Sequence, residues 1–325
     1  MKAPERHGET AEGAFPLRRF AATRISRAIE DAVRAPGVVG LVEGVHRTAV
    51  NIRWGDQLVT VAHASLGGLP NGILVDPPVA LDQIGLAPGM RVQGDGIALR
   101  VPGASMVVFL GGAASWSPVL PVTQVATATR VERAQRALQV AAGQAPRVGL
   151  GPLLVGIVNQ GTSVGALGRA AARSVAAVLV ALGDGASDRA VATAIPLIGL
   201  GPGATPSGDD LLVGLAAGLA ATDHPLAQAF GAGVARDAPG LTTSLAESYL
   251  LHAGRLEFSE RVHDAAAAVL TGPEGGLERT ISHALAWGAS SGADLLVGLL
   301  IGIQASAPGL ASRLHACADE RNVAA

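Results

Sequence analysis

The sequence predicts an α+β protein, with a small, mostly antiparallel β domain followed by a larger all-α domain. Between residues 37 and about 120, short Val- and Ile-rich runs alternate with Gly and Pro, the texture of strands joined by turns. From about residue 123 onward, Ala- and Leu-rich runs of helical length are broken by Gly, Pro and Asp. With 325 residues, 49% hydrophobic and 15% charged, the chain can bury a sizeable core and is not disordered.

Residues 1–36 read as a polar tail leading into one helix near "RISRAIEDAVRA". Residues 37–122 form the β domain, with strands expected at "VVGLVEGV", "TAVNIRW", "QLVTVAH", "GILV", "RVQ", "IALRV" and "SMVVFL". Gly55-Asp56 and Gly94-Asp95-Gly96 each stand between two such runs, where hairpin turns belong. "SWSPVLPVT" at 115–123 reads as an exit linker. Residues 123–325 form the helical domain that carries the Gly-rich loop. Alanine and glycine dominate its expected interfaces, which predicts close helix packing.

Charge and composition narrow the chemistry. A formal net charge of -2 predicts no attraction to nucleic acid or to anionic membranes. Lys2 is the only lysine and lies in the polar tail, which excludes a P-loop and a Schiff base. A phosphate or carboxylate must then be held by arginine, by backbone N–H groups or by a metal. Cys317 is the single cysteine, so no internal disulfide forms. The N-terminus lacks the basic and apolar regions of a secretory signal. Apolar runs such as "LLVGLAAGLAA" are about half the ~20 residues of a membrane span. A cytoplasmic protein is expected.

One loop concentrates the unusual residues: "GLGPGATPSGDDLLVGL", 199–215. Ser207 and Asp210 have the spacing of a capping box. "SGADLLVGLLIGI" at 291–303 repeats the pattern of "SGDDLLVGLAAGL" at 207–219, with Ser291 and Asp294 as the equivalent pair. Two capped helices account for that much. They leave Gly201, Gly203, Thr205 and Asp209 without a reason. Gly201, Gly203, Thr205, Ser207 and Gly208 lead into a helix N-terminus, where several N–H groups aim at one point and favour an anion. Asp209 and Asp210 point about 100° apart on a helix and cannot share one face. One would orient the loop while the other meets a ligand. If a metal such as Mg²⁺ takes part, Asp209 or Asp210 holds it. If the repeat is structural, the two helix N-termini converge on one ligand, and Ser291 and Asp294 belong to the site.

A second cluster is "LTTSLAESYLLHAGRLEF", 241–258. Thr243 stands at a helix start. Ser248, His252 and Arg255 fall on one side at i, i+4 and i, i+7, as a hydroxyl, imidazole and guanidinium edge or simply as the polar outer face of an amphipathic helix. No metal-binding His or Cys spacing and no Gly-x-Ser-x-Gly elbow occurs.

"GLGPGATPSGDDLLVG", "TTSLAESYLLHAGRLEF" and "GASSGADLLVGLLIG", in that order, resemble the family of the H subunit of oxamate carbamoyltransferase, and "GVHRTAVNIRW" is similar to its β region. The likeness runs through most of the chain from about residue 37. Ala289 departs from the histidine often found at that place. The resemblance implies a three-subunit cytoplasmic enzyme of anaerobic allantoin breakdown, which interconverts oxalurate and phosphate with oxamate and carbamoyl phosphate. Two other carbamoyltransferase subunits are the implied partners. Asp209 and Asp210 are the candidate catalytic residues. Gly201, Gly203, Thr205, Ser207, Gly208, Thr243, Arg255, Ser291 and Asp294 are candidates for binding carbamoyl phosphate, oxamate or phosphate. The alternatives are a non-catalytic anion-binding or assembly subunit, whose Ala/Gly helices pack against other subunits, and a metal-dependent hydrolase or phosphotransferase.

Overall fold

The structure, a computed structural model, describes residues 18–104, 106–159 and 164–319. The chain divides into two compact units. Residues 67–71, from the region read as β domain, and the short stretch 26–28, from the segment read as tail and helix, belong with the second unit. Lys2 lies outside the described residues.

The first unit holds nine strands among the described residues: β1 (Arg18–Ser26), β2 (Val39–Val45), β3 (Ala49–Trp54), β4 (Gln57–His63), β5 (Gly72–Val75), β6 (Arg91–Gly94), β7 (Ala98–Val101), β8 (Met106–Phe109) and β9 (Ala114–Trp116). It is α+β territory as expected, but not a simple antiparallel sheet. The order β5-β4-β3-β2-β6-β7-β8-β1 closes on itself through a β1–β5 pairing, giving an eight-stranded barrel with β9 beside β1. Closure is done by β1, which lies parallel to β8 and antiparallel to β5. β4 and β5 are also parallel, and the other described pairings are antiparallel.

β1 occupies sequence read as tail and helix. Its burial alternates, with Phe20 and Ala22 inward between exposed neighbours, the two-residue period of a strand. Helix α1 (Arg27–Arg34) follows it directly and buries Ile29 and Val33. The turn at Gly55-Asp56 joins β3 to β4 with Trp54 opposite Gln57, as a two-residue hairpin requires. At the β6–β7 turn, Asp95 accepts the N–H groups of Ile97 and Ala98. Inside, the Trp54 indole donates to the Ala32 carbonyl at 3.0 Å. Gly40 and Gly94 leave it room, since a Cβ at either would come within 2.7 Å of the ring.

The second unit comprises α2 (Thr127–Gly143), α3 (Gly151–Asn159), α4 (Gly165–Gly183), α5 (Ser187–Ala194), α6 (Ser207–Ala221), α7 (Ala227–Asp237), α8 (Ser244–Ala253), α9 (Glu260–Leu270), α10 (Glu274–Leu285), α11 (Ser291–Ile303) and α12 (Leu310–Ala318). Every residue of α6 is buried, and so is α11 from Gly292 to Ile303. They form the central pair. α4 has the length and apolar composition to cross a bilayer, which the shorter apolar runs in the sequence did not suggest. Half of it is buried, and it packs on α5 and α12.

The 84-residue echo is the axis of this unit. A Cβ on Gly214 would lie 2.1 Å from the Leu295 carbonyl oxygen, and one on Gly298 would lie 1.9 Å from that of Leu211. Gly218 meets the Leu299 carbonyl and Gly302 the Leu215 carbonyl, each at 2.5 Å. Each helix therefore makes to the other the contacts it receives, a pseudo-two-fold pair in backbone contact. The expected close packing is present, and these glycines are spent inside the chain and not on another subunit.

Candidate functional site

The pseudo-two-fold brings the N-termini of α6 and α11 together. Thr205 Oγ1 and Ser291 Oγ are 2.9 Å apart, and both hydroxyls lie against the Asp210 carboxyl. Across the axis, Ser207 and Ser290 lie against Asp294. Each helix thus lends its serine to the other helix's aspartate.

Capping boxes are not formed. Pro206 is the N-cap of α6, so Ser207 is already helical and its hydroxyl is free to cross to α11. Ser290 is the N-cap of α11, and neither N-cap makes a side-chain bond to its own helix.

The two lead-ins differ. Gly208 N–H donates to the Leu200 carbonyl and Gly292 N–H to the Trp287 carbonyl. The first connection is three residues longer, and the extra length holds Gly201, Pro202 and Gly203. Gly201 and Gly203 have φ of 109° and 107°, which glycine alone adopts easily. Residues 202–204 are exposed. Among the described residues, the N–H groups of Gly201, Gly203 and Ala204 make no hydrogen bond.

Asp209 holds this loop in place. Its Oδ1 accepts Gly199 N–H at 3.0 Å, and its Oδ2 accepts the Thr242 hydroxyl at 2.6 Å. With both oxygens engaged it is a tether. Its counterpart in α11 is Ala293, where no such loop needs holding. Thr243 is a second tether: it caps α8 through Ala246 N–H and donates to the Ala204 carbonyl. Arg255, by contrast, is exposed beyond the end of α8 and is not brought to the loop.

Asp210 is 7% exposed, and its Oδ2 has no hydrogen-bond partner among the described residues. Burial pushes its carboxyl up to about 8. The neighbouring hydroxyls oppose that rise, and the charges of Asp294 and Asp209 add to it. Burial also raises Asp209 and Asp294. Asp294 is covered by its own neighbours: Leu150 N–H donates to its Oδ1 at 2.5 Å and Gly149 packs directly over it, while its Oδ2, like that of Asp210, has no partner among the described residues.

Glu257, Tyr249, Ser259 and Trp287 line a cavity with Asp210 and have no forecast in the sequence. Ser248 and His252 are not on an outer face; they are 6% and 4% exposed. His252 Nδ1 is 2.6 Å from Glu257 Oε2. Glu257 is aimed by its backbone. Leu256 takes φ of 58°, which turns the chain so that Glu257 N–H returns to the His252 carbonyl. Residues 118–120, read as linker, pair with 256–258 and fix that turn. Tyr249 faces Asp210; burial and then the Asp210 charge push its phenol up. Ser259 and Trp287 complete the surroundings. The only sequence signal for this pair is an imidazole followed five residues later by a carboxylate across a helix end.

Both Asp209 oxygens are engaged, and among the described residues no three His, Cys, Asp or Glu side chains cluster to hold a metal. The arrangement suits a small ligand with an anionic end at the loop and a polar, uncharged end at Asp210.

A family model described as oxamate carbamoyltransferase subunit AllH matches residues 197–303, and one described as the AllH family N-terminal domain matches residues 21–115. No curated protein and no solved structure matches the chain.

Proposed function

The chain belongs to the AllH family of oxamate carbamoyltransferase subunits, and on that premise we propose that it binds the reactants of carbamoyl transfer at the paired N-termini of α6 and α11, within a cytoplasmic multi-subunit complex. The reaction is oxalurate plus phosphate giving oxamate plus carbamoyl phosphate. A phosphate oxygen bonds to the terminal carbamoyl carbon, the bond from that carbon to the inner nitrogen breaks, and the proton of phosphate ends on that nitrogen.

The observation that carries this reading is the Thr205–Ser291 contact beside Asp210, with a loop of unpaired N–H groups ahead of it. The N–H groups of Gly201, Gly203 and Ala204 receive the phosphate or carboxylate. The positive ends of two helices add to the field there without any lysine. Thr205, Ser207 and Ser291 supply hydroxyls, and Gly208 allows the close turn into α6: a Cβ there would lie 2.0 Å from the Leu197 carbonyl oxygen. Asp210, neutral at pH 7, adds no negative charge to an anion site. It holds a proton to donate to the departing nitrogen and can take up the one that phosphate releases. Asp209, Thr243 and Asp294 position these groups through the bonds described above. Most of the acceleration would come from orientation and fixed dipoles.

Val39 and Leu41, about half exposed on β2, favour a second reading in which this subunit also docks a partner. The decisive experiment is reconstitution with the partner subunits. Asp210→Asn is expected to lower carbamoyl transfer by about 10²-fold or more. Transfer at the wild-type rate in that variant would overturn the assignment.

A further inference from the structure

Beside Asp210, within the helical unit, lies a small, partly enclosed cavity of about 20 Å³, room for about one water-sized group. Its polar lining comes from Asp210, Glu257, Ser259 and Tyr249, and Trp287 and Phe258 give apolar walls. No arginine or histidine lines it, so an anion gains nothing by entering. Ser259 is 5% exposed, and its Oγ has no hydrogen-bond partner among the described residues, like Asp210 Oδ2. Ser259 is also the N-cap of α9, yet its hydroxyl makes no cap bond, so the helix start does not account for it. Buried polar groups are costly to leave unpaired. Two on one cavity wall mark the place of a ligand that pairs them.

We propose that this cavity receives the –NH₂ tip of the substrate's primary amide end, –CO–NH₂, with its N–H groups toward Asp210 and Ser259, while the anionic end stays at the loop. The proposal rests on the carbamoyl-transfer reading: oxamate, oxalurate and carbamoyl phosphate share one pattern, a –CO–NH₂ group at one end and an anion at the other. A primary amide brings two donors to a wall rich in acceptors. Being neutral, it enters between Trp287 and Phe258 without the desolvation cost of an ammonium ion. Its carbonyl oxygen finds a donor in Tyr249, whose phenol burial keeps protonated. Carbamoyl-bearing substrates would then be told from plain dicarboxylates by their N–H groups, because a site built for donors rejects an analogue that lacks them.

The test measures binding of oxamate, N,N-dimethyloxamate and oxalate to the full-length chain, and to the reconstituted complex, by calorimetry. Oxamate is expected to bind about tenfold tighter than the other two. Ser259→Ala, which removes no cap bond, is expected to shrink that ratio about threefold or more, and Asp210→Leu to abolish it. Equal affinity for all three ligands, undiminished discrimination in both variants, or displacement of oxamate by ammonium chloride would each overturn the proposal. Carbamoyl transfer by the wild-type complex without amide discrimination would refute the cavity assignment and leave the transferase reading standing. Discrimination without transfer would do the reverse.

Discussion

Thr205 and Ser291 lie 86 residues apart in sequence and hold their hydroxyl oxygens 2.9 Å apart, at the heads of two different helices. The contact couples the loop of α6 to the start of α11. Thr205→Val and Ser291→Ala should therefore not be additive. A double-mutant cycle on urea unfolding is expected to give a coupling of about 0.5–1.5 kcal/mol. Additive losses would mean that the two hydroxyls act separately.

The buried carboxyls make stability fall as pH rises. Asp210 keeps its proton in the folded state up to about 8, while the unfolded chain releases it near the ordinary carboxylate value of 3.8. Its neutral form favours folding most below pH 4, and that contribution is lost as pH rises through 8. Within this window the slope is up to about 1.4 kcal/mol per pH unit for one proton. Asp209 and Asp294 are also raised and act in the same direction. Unfolding midpoints of wild type and Asp210→Asn should diverge between pH 5 and 8, the variant losing less. Parallel curves would place the Asp210 proton elsewhere.

The glycines of the central pair have no room to grow. Gly298→Ala would drive a methyl into the Leu211 carbonyl oxygen, and a helix backbone cannot yield cheaply. A loss of about 3 kcal/mol or more is expected. Gly275 in α10 has open space around its Cβ position. Gly275→Ala is expected to change stability by less than about 1 kcal/mol, and to raise it. Thermal denaturation of the two variants checks both signs.

Removing the Asp209 tether should free the loop before it unfolds the protein. In Asp209→Ala, Gly199 N–H and the Thr242 hydroxyl lose their acceptor. Hydrogen exchange is expected to quicken over residues 199–206 while α11 stays protected. Unchanged exchange in the loop would show that Thr243 holds it alone.

Local features were the legible ones. The Gly55-Asp56 hairpin follows from turn chemistry, and the central pair from an echo of thirteen residues. Barrel closure was not legible, because β1 pairs with β5 and β8, far along the chain, and nothing in "RRFAATRIS" says which strands it will meet. The capping boxes misled for a similar reason: Ser207 and Asp210 have the right spacing, but their partners sit on another helix. The pairing of His252 with Glu257 escaped notice because it depends on one turn at Leu256 with positive φ, a conformation that leucine does not advertise.

The three-residue difference between the two lead-ins also bears on stoichiometry. A faithful two-fold would give two equal mouths, one at each aspartate. Here Gly149 and Leu150 cover the Asp294 side, whereas Asp210 lines a cavity. Under the proposed function the duplicated pattern predicts one ligand per chain, and titration of the purified chain is expected to saturate at one equivalent.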